Sequence, residues 1–419
     1  MTSPVTAPAE PVVERPAHRD GNVLRWVGAY TASMVGDGVY YLALSWAAVQ
    51  EGTPAEAGLV MTVSALPRAL LMLGGGVIVD RLGPRRVVIG SDALRCAAVL
   101  AVAALLFLAH PGLWLLALLA LVFGAVDAVF LPAVGALPAR LTGKGQLARV
   151  QGMRGLAVRA ANVVGAPLGG LAVATGGAAA AFAVAGLLIA VSLPLLVTLR
   201  VATPPLDEAA DTAERRPTPW RDLADGLGYV RRHPVLAPLM LAIALGDLGF
   251  VGPLNVGLTL LADERGWGAA GMGWILAAFG VGAGAVSLLL AVRGRVPHAG
   301  LVAGAAVIAG SAAIGALAQV PTVAGAAGAA LAVGLLAGLS GALCGALLQT
   351  QSDPAFLGRV SAVSGLVSLG LAPLSMPVSA AAVQVWGTGP MFAVSAAVCA
   401  LGGAVALAVP ALRRAELPG

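Results

Sequence analysis

Twelve apolar runs, each about 20 residues long, divide this 419-residue chain and constrain it more than any other feature. A helix needs roughly 20 such residues to cross the hydrocarbon core of a bilayer. In lipid every backbone N–H and C=O must be satisfied within the span, so runs of this length read as transmembrane helices. They fall near 24–48, 58–79, 87–109, 113–133, 150–174, 178–199, 235–261, 271–292, 300–319, 323–349, 360–385 and 390–411, and are called spans 1 to 12. Composition agrees: 59% of residues are apolar and only 11% are charged, against about 25% charged in a soluble domain. The expected fold class is an all-α polytopic membrane protein.

The connections alternate in charge. The segments before span 1 and after every even-numbered span carry nearly all the cations, among them Arg81, Arg85, Arg86, Arg140, Lys144, Arg149, Arg231, Arg232, Arg359 and Arg413. The opposite connections hold Arg265 alone. By the positive-inside rule both termini are expected in the cytoplasm. This also accounts for the net charge of +5 and leaves no basic surface for nucleic acid. Trp26, Trp46, Trp114, Trp267, Trp274 and Trp386 sit at or near span ends, where aromatic belts form. Residues 1–23 are polar and Pro-rich and read as a disordered cytoplasmic tail without the pattern of a cleaved signal. Cys96, Cys344 and Cys399 lie inside apolar runs and read as buried small hydrophobes, with neither disulfide nor metal site expected. No catalytic constellation and no phosphate-binding loop stands out. No enzyme activity and no cofactor are expected, and energy should come from an ion gradient.

The chain repeats itself at an offset of 210 residues. Gly36-Asp37 in span 1 matches Gly246-Asp247 in span 7, Arg85 matches Arg295, and Leu147-Ala148-Arg149-Val150 matches Leu357-Gly358-Arg359-Val360. Ala166-Pro167-Leu168 resembles Ala372-Pro373-Leu374 at 206. Two pseudo-symmetric six-helix bundles, 24–199 and 235–411, are therefore expected, with a linker at 200–234 and a short tail at 412–419. A site between two such halves is an alternating-access design. Within the linker, Trp220, Leu223, Leu227 and Val230 share one helical face, which reads as an amphipathic helix at the cytoplasmic interface.

Two motifs carry a resemblance. The loop between spans 2 and 3 reads Gly76-Val-Ile-Val-Asp80-Arg81-Leu-Gly83-Pro84-Arg85-Arg86. It resembles the loop 2–3 signature of the major facilitator superfamily, with Pro84 replacing one basic position. Gly36-Asp37-Gly38-Val39-Tyr40-Tyr41-Leu42-Ala43-Leu44-Ser45-Trp46, Leu131-Pro132-Ala133, Leu137-Pro138 and Arg359-Val360-Ser361 are similar to the bacterial drug:proton antiporter-3 exporters of that superfamily. Span 5 adds Gly165-Ala166-Pro167-Leu168-Gly169-Gly170, similar to the superfamily's antiporter signature with Ala166 in place of a glycine. Its physical content is a Pro-loosened, Gly-lined face that packs closely and flexes. The resemblance implies the bacterial inner membrane, spans 1, 4, 7 and 10 around a central cavity, and export of macrolides, tetracyclines or siderophores. Asp80 ends span 2 near where span 11 begins, and since a helix N-terminus carries partial positive charge, Asp80 is expected to dock there and close the cytoplasmic side.

Ionisable groups inside spans are costly and default to function. Depth, counted at about 1.5 Å per residue, places Asp37 and Arg68 near the midplane as one expected pair. Asp127 and Arg159 form a second. Asp92 and Arg95, three apart on span 3, are expected to pair near its cytoplasmic end. The C-terminal half has no basic residue within a span, so Asp247 is expected to carry a proton or to line the cavity. Asn162 and Gln349 are further cavity candidates. The reading is a monomeric, proton-coupled exporter of amphipathic small molecules. A metabolite importer of the same fold and a membrane sensor or assembly protein are the alternatives.

Overall fold

The computed structural model describes residues 17–109, 112–143, 146–200, 219–293, 296–353 and 356–417. Among them every regular element is a helix. Span 1 is Gly21–Glu51, span 2 Pro54–Leu82, span 3 Pro84–Leu108 and span 4 Leu113–Ala136. Spans 5 and 6 form one segment, Leu147–Val197, broken at Gly176 and Gly177. Gly177 adopts φ +71°, a left-handed conformation that glycine takes without steric penalty, and there the chain turns back across the bundle. After the helix Pro219–Arg232 come span 7 (Leu236–Glu264), span 8 (Gly268–Arg293), span 9 (Ala299–Leu317), span 10 (Val323–Gln351), span 11 (Leu357–Trp386) and span 12 (Thr388–Ala408). Nine described helices are long and apolar enough to cross a membrane, one of them carrying both spans 5 and 6. Spans 1 and 2, at 31 and 29 residues, reach more than ~40 Å at ~1.5 Å per residue.

Local chemistry sets the ends. Asp20 caps span 1, its carboxylate accepting from the Asn22 N–H at 2.8 Å. Thr53 and Glu56 form a reciprocal capping box at span 2, which satisfies two otherwise unpaired N–H groups. Gly83, at φ +83°, ends span 2, and Pro84 starts span 3, where a missing N–H costs nothing. Pro253 opens a π-helical turn, Pro253–Gly257, inside span 7, because it cannot donate to the preceding helical turn. Span 1 begins three residues before its expected start. The chain just ahead of it is docked rather than loose: Ala17 is buried and its N–H donates to Gln146 Oε1 at 3.2 Å. The expected tail over 1–16, most of the linker (201–218), Lys144, Arg295 and the Asp80 side chain lie outside the described residues.

Glycine sets how closely the spans pack. A Cβ at Gly124 on span 4 would collide with the Ser64 carbonyl of span 2, and one at Gly75 on span 2 with the Ala128 carbonyl of span 4. At Gly74 and Gly135, on the same two helices, a Cβ meets nothing within 4 Å. Backbone cannot move aside cheaply, and overpacking costs about 1–3 kcal/mol. Gly124→Ala is therefore expected to lower the detergent melting temperature by several degrees, while Gly74→Ala and Gly135→Ala leave it unchanged. Equal melting of all three proteins would refute this packing account. The outward faces carry large exposed apolar side chains, including Leu70, Leu156, Leu288, Val378 and Trp274, which suit contact with lipid tails.

Candidate functional site

Ser33, Asp37 and Tyr41 recur every four residues on span 1, so they share one face. Phe123, Asp127 and Phe130, at spacings of four and three, share a face of span 4, and span 3 contributes Asp92 and Arg95. These faces meet inside the N-terminal half around Arg95, which is wholly buried. Its Nη1 donates to both Asp37 oxygens at 3.1 and 3.0 Å and to Asp127 Oδ1 at 3.0 Å. Its Nη2 donates to Asp92 Oδ1 and, at 3.1 Å, to Ser33 Oγ. The guanidinium lies 3.9 Å from the centre of the Phe130 ring and 5.2 Å from that of Phe123, a contact in which ring quadrupoles attract the cation.

The three carboxylates are held unequally. Asp92, 1% exposed, accepts from Arg95 and Ser33 on one oxygen and from the Ser192 hydroxyl of span 6 on the other. Asp127, 6% exposed, accepts from Arg95 and, at 3.0 Å, from the Tyr41 hydroxyl. Asp37, 9% exposed, is held by a single nitrogen of Arg95. Three acids thus share one base, leaving two negative charges uncompensated if all are ionised. Two like charges 4 Å apart repel by about 4 kcal/mol at an effective dielectric of 20.

This arrangement corrects the expected pairings. Asp37 pairs with Arg95 and not Arg68, and Asp127 with Arg95 and not Arg159. The Asp92–Arg95 pair is present, but it is part of the cluster, and Arg95 is twelve residues into a 25-residue span rather than near its end. Counting residues gives depth but not direction around the helix axis, so it could not tell which cation faces spans 1 and 4. The planar Arg fork, with five donors, serves several acids from one position. Arg68 and Arg159 are partly buried and form no salt bridge among the described residues. Ser33, Tyr41 and Ser192 are additions to the expected site; the four-residue spacing from Ser33 through Asp37 to Tyr41 was the available signal.

The glycine motif of span 5 lies where three helices meet. Gly165 and Gly169 face span 1, where an added Cβ would come within 3.2 Å of the Gly38 and Val39 Cα atoms. Gly170 faces the Ala269 carbonyl of span 8, and Gly273 of span 8 faces Ala166 and Pro167 in return. The motif therefore forms the seam between the halves. Gly58 of span 2 packs against Ala380 of span 11. Ser45 Oγ lies 2.6 Å from Thr259 Oγ1 and donates to the Asn255 carbonyl at 3.0 Å. Gln50 Nε2 donates to Asp263 Oδ1 at 2.7 Å. These hydrogen bonds from Ser45 and Gln50 across the halves lie toward the Arg-poor end.

The other candidates are apart from the cluster. In the loop 2–3 motif Arg85 donates to the Val197 carbonyl at 2.6 Å, satisfying the C-terminus of span 6. Arg81 and Arg86 are exposed, and a Cβ at Gly76 would meet nothing. Asn162 and Gln349 are exposed. Asp247 lies in the C-terminal half, and among the described residues its buried Oδ2 has no hydrogen-bond partner. The described residues contain no group of three or more His, Cys, Asp or Glu placed to hold a metal.

Comparison with known proteins adds three findings. A sequence profile described as the Major Facilitator Superfamily matches residues 27–372. The chain is 26% identical over 347 residues to the enterobactin exporter EntS of Shigella boydii, covering 79% of this chain and 80% of that protein. The EntS of Escherichia coli O139:H28 matches over the same length at the same identity. Among solved structures, the fold is similar to the nucleoside transporter NupG, with TM-score 0.68 at 14% identity, covering 95% of this chain and all of that one. It is also similar to a proton-dependent oligopeptide transporter, with TM-score 0.69 at 16% identity, covering 94% and 99%. At such identities these two structures bear on fold alone.

Proposed function

Because the chain belongs to the Major Facilitator Superfamily, a family of membrane transporters, we propose that it exports amphipathic small molecules in exchange for protons. The observation that carries the direction is its likeness to the enterobactin exporters along most of both chains. A siderophore-like substrate is the reading this likeness supports, and an antibiotic-like one is what the resemblance to the drug:proton antiporter-3 exporters implies.

Proton coupling rests on the Arg95 cluster. With three acids on one base, a proton entering the cluster relieves repulsion rather than creating an unpaired charge. Asp92 is the fixed partner of Arg95, since three donors hold it. Asp37 is the exchanging carboxylate, being the most exposed and the least bonded, with Asp127 second. This makes the N-terminal half the coupling site in preference to Asp247, which has no cation to release or recapture. The Ser45 and Gln50 hydrogen bonds across the halves lie at the Arg-poor end, and the positive-inside rule assigns that end to the outside. The arrangement is then inward-facing, with the glycine seam of spans 5 and 8 and the span 2–span 11 contact as the closed outer gate. In the opposite state Asp80 docks at the N-terminus of span 11, whose partial positive charge favours an anion.

Everted membrane vesicles with an acidic lumen test this reading. A radiolabelled catecholate siderophore and a macrolide, assayed in parallel, are expected to show uphill accumulation of at least one, abolished by a protonophore. Accumulation confined to right-side-out vesicles would identify an importer. No gradient-dependent movement in either orientation would overturn transport of this class.

A further inference from the structure

The two halves fill their centres differently. In the N-terminal half, spans 1, 3, 4 and 6 close around Arg95. In the C-terminal half the corresponding spans 7, 9, 10 and 12 line a partly open cavity of about 200 Å³. At the 210-residue offset Asp37 becomes Asp247, but Phe123, Asp127 and Phe130 become Val333, Ala337 and Ser340, all of which line the cavity. Span 9, the counterpart of the helix bearing Arg95, has no ionisable residue and lines the cavity with Gly300, Gly304 and Gly310 among others. The space follows from these exchanges: an arginine and two phenylalanines on one side, glycine and small side chains on the other.

We propose that this cavity is a second small-molecule site, separate from the interface between the halves, and that it takes a lipophilic amine whose ammonium group meets Asp247. Three observations select that ligand. The walls are almost wholly apolar, and the cavity exceeds the ~150 Å³ apolar void that accepts benzene, so a single ring with a short chain fits. Asp247 lines it, with Oδ2 buried and lacking a hydrogen-bond partner among the described residues. No described lining residue is cationic, so a ligand cation meets no competitor among them. The other polar groups around the carboxylate are weak rivals. The Ser340 hydroxyl donates to the Ala337 carbonyl of its own helix, and the Cys344 and Cys399 thiols are poor donors.

Those two thiols provide the readout, because both line the cavity while Cys96 lies in the other half, bonded to the Gly186 carbonyl. The full-length protein in nanodiscs is alkylated with N-ethylmaleimide and each cysteine is followed by peptide mass spectrometry. Phenethylamine is expected to slow modification of Cys344 and Cys399 at least tenfold at saturation and to leave Cys96 unchanged. Propylbenzene, its neutral near-isostere, should slow them less than twofold. Asp247→Asn should lose the protection by the amine, and so should Ala337→Leu, which fills the cavity and keeps the carboxylate. If the thiols prove unreactive without ligand, the same four comparisons are read as shifts in Tm. Protection equal for amine and hydrocarbon, protection that survives Asp247→Asn, or no effect of the amine in either assay overturns the proposal.

Discussion

Arg95→Met protein is expected to be nearly absent from the membrane fraction, and any recovered protein to melt far below wild type. The substitution preserves most of the side-chain volume and removes the only cation bonded to Asp37, Asp92 and Asp127 among the described residues. Breaking a buried ion pair from one side typically costs about 3–5 kcal/mol, and here three acids lose their partner at once. Arg95→Lys should not restore the yield. Lysine is a point charge without the planar fork, and the two guanidinium nitrogens now reach four side chains on two neighbouring spans and their own. Combining Arg95→Met with Asp37→Asn and Asp92→Asn should recover part of the yield, because it removes two of the stranded charges. Fluorescence-detected size exclusion of tagged protein measures this directly. Normal yield of Arg95→Met would mean that the cluster is not what holds spans 1, 3 and 4 together.

The second large effect is expected at Asp37. Asp37→Asn keeps the shape of the side chain and one acceptor for Arg95, and removes the ability to gain or lose a proton. Reconstituted protein should bind substrate with wild-type affinity and equilibrate it down its gradient. It should fail to concentrate substrate when only a pH gradient is imposed, a loss of tenfold or more in steady-state accumulation. Asp92→Asn should behave differently and lose yield, because Ser192, Ser33 and Arg95 all donate to that carboxylate. Asp247→Asn should leave proton-driven accumulation intact. Uphill transport by Asp37→Asn with loss in Asp247→Asn would move the coupling site to the C-terminal half.

Several parts of this protein were legible in its residues because they depend on local or averaged quantities. Helix existence followed from apolar length, as did the division of 150–199 into two runs, whereas the turn at Gly176 and Gly177 came from the structure. The Asp92–Arg95 pair followed from a spacing of three on one helix. The partners of Asp37 and Asp127 did not follow, although every residue involved was in view. Three candidate acids and three candidate bases allow several pairings: depth counted from the expected span ends put Arg95 too near the cytoplasmic edge, and the rotation of each helix about its axis leaves no mark in the residue count. Span 5 shows the same division. Its glycine motif was recognisable as a close-packing face, but that it meets span 1 on one side and span 8 on the other depends on how the halves lie together.

What the sequence determined by itself is therefore the membrane class, a helix count consistent with twelve spans, and the residue types available for chemistry. Each of these is set by composition and spacing along one helix, where lipid leaves the backbone no alternative to internal hydrogen bonding. The tertiary structure decided which charges meet, where the halves touch, and that one bundle centre holds an arginine cluster while its counterpart lines a cavity. Those depend on distances between residues far apart in the chain. A difference of a few side-chain volumes across four packed helices is distributed over spans 7, 9, 10 and 12 and carries no local pattern.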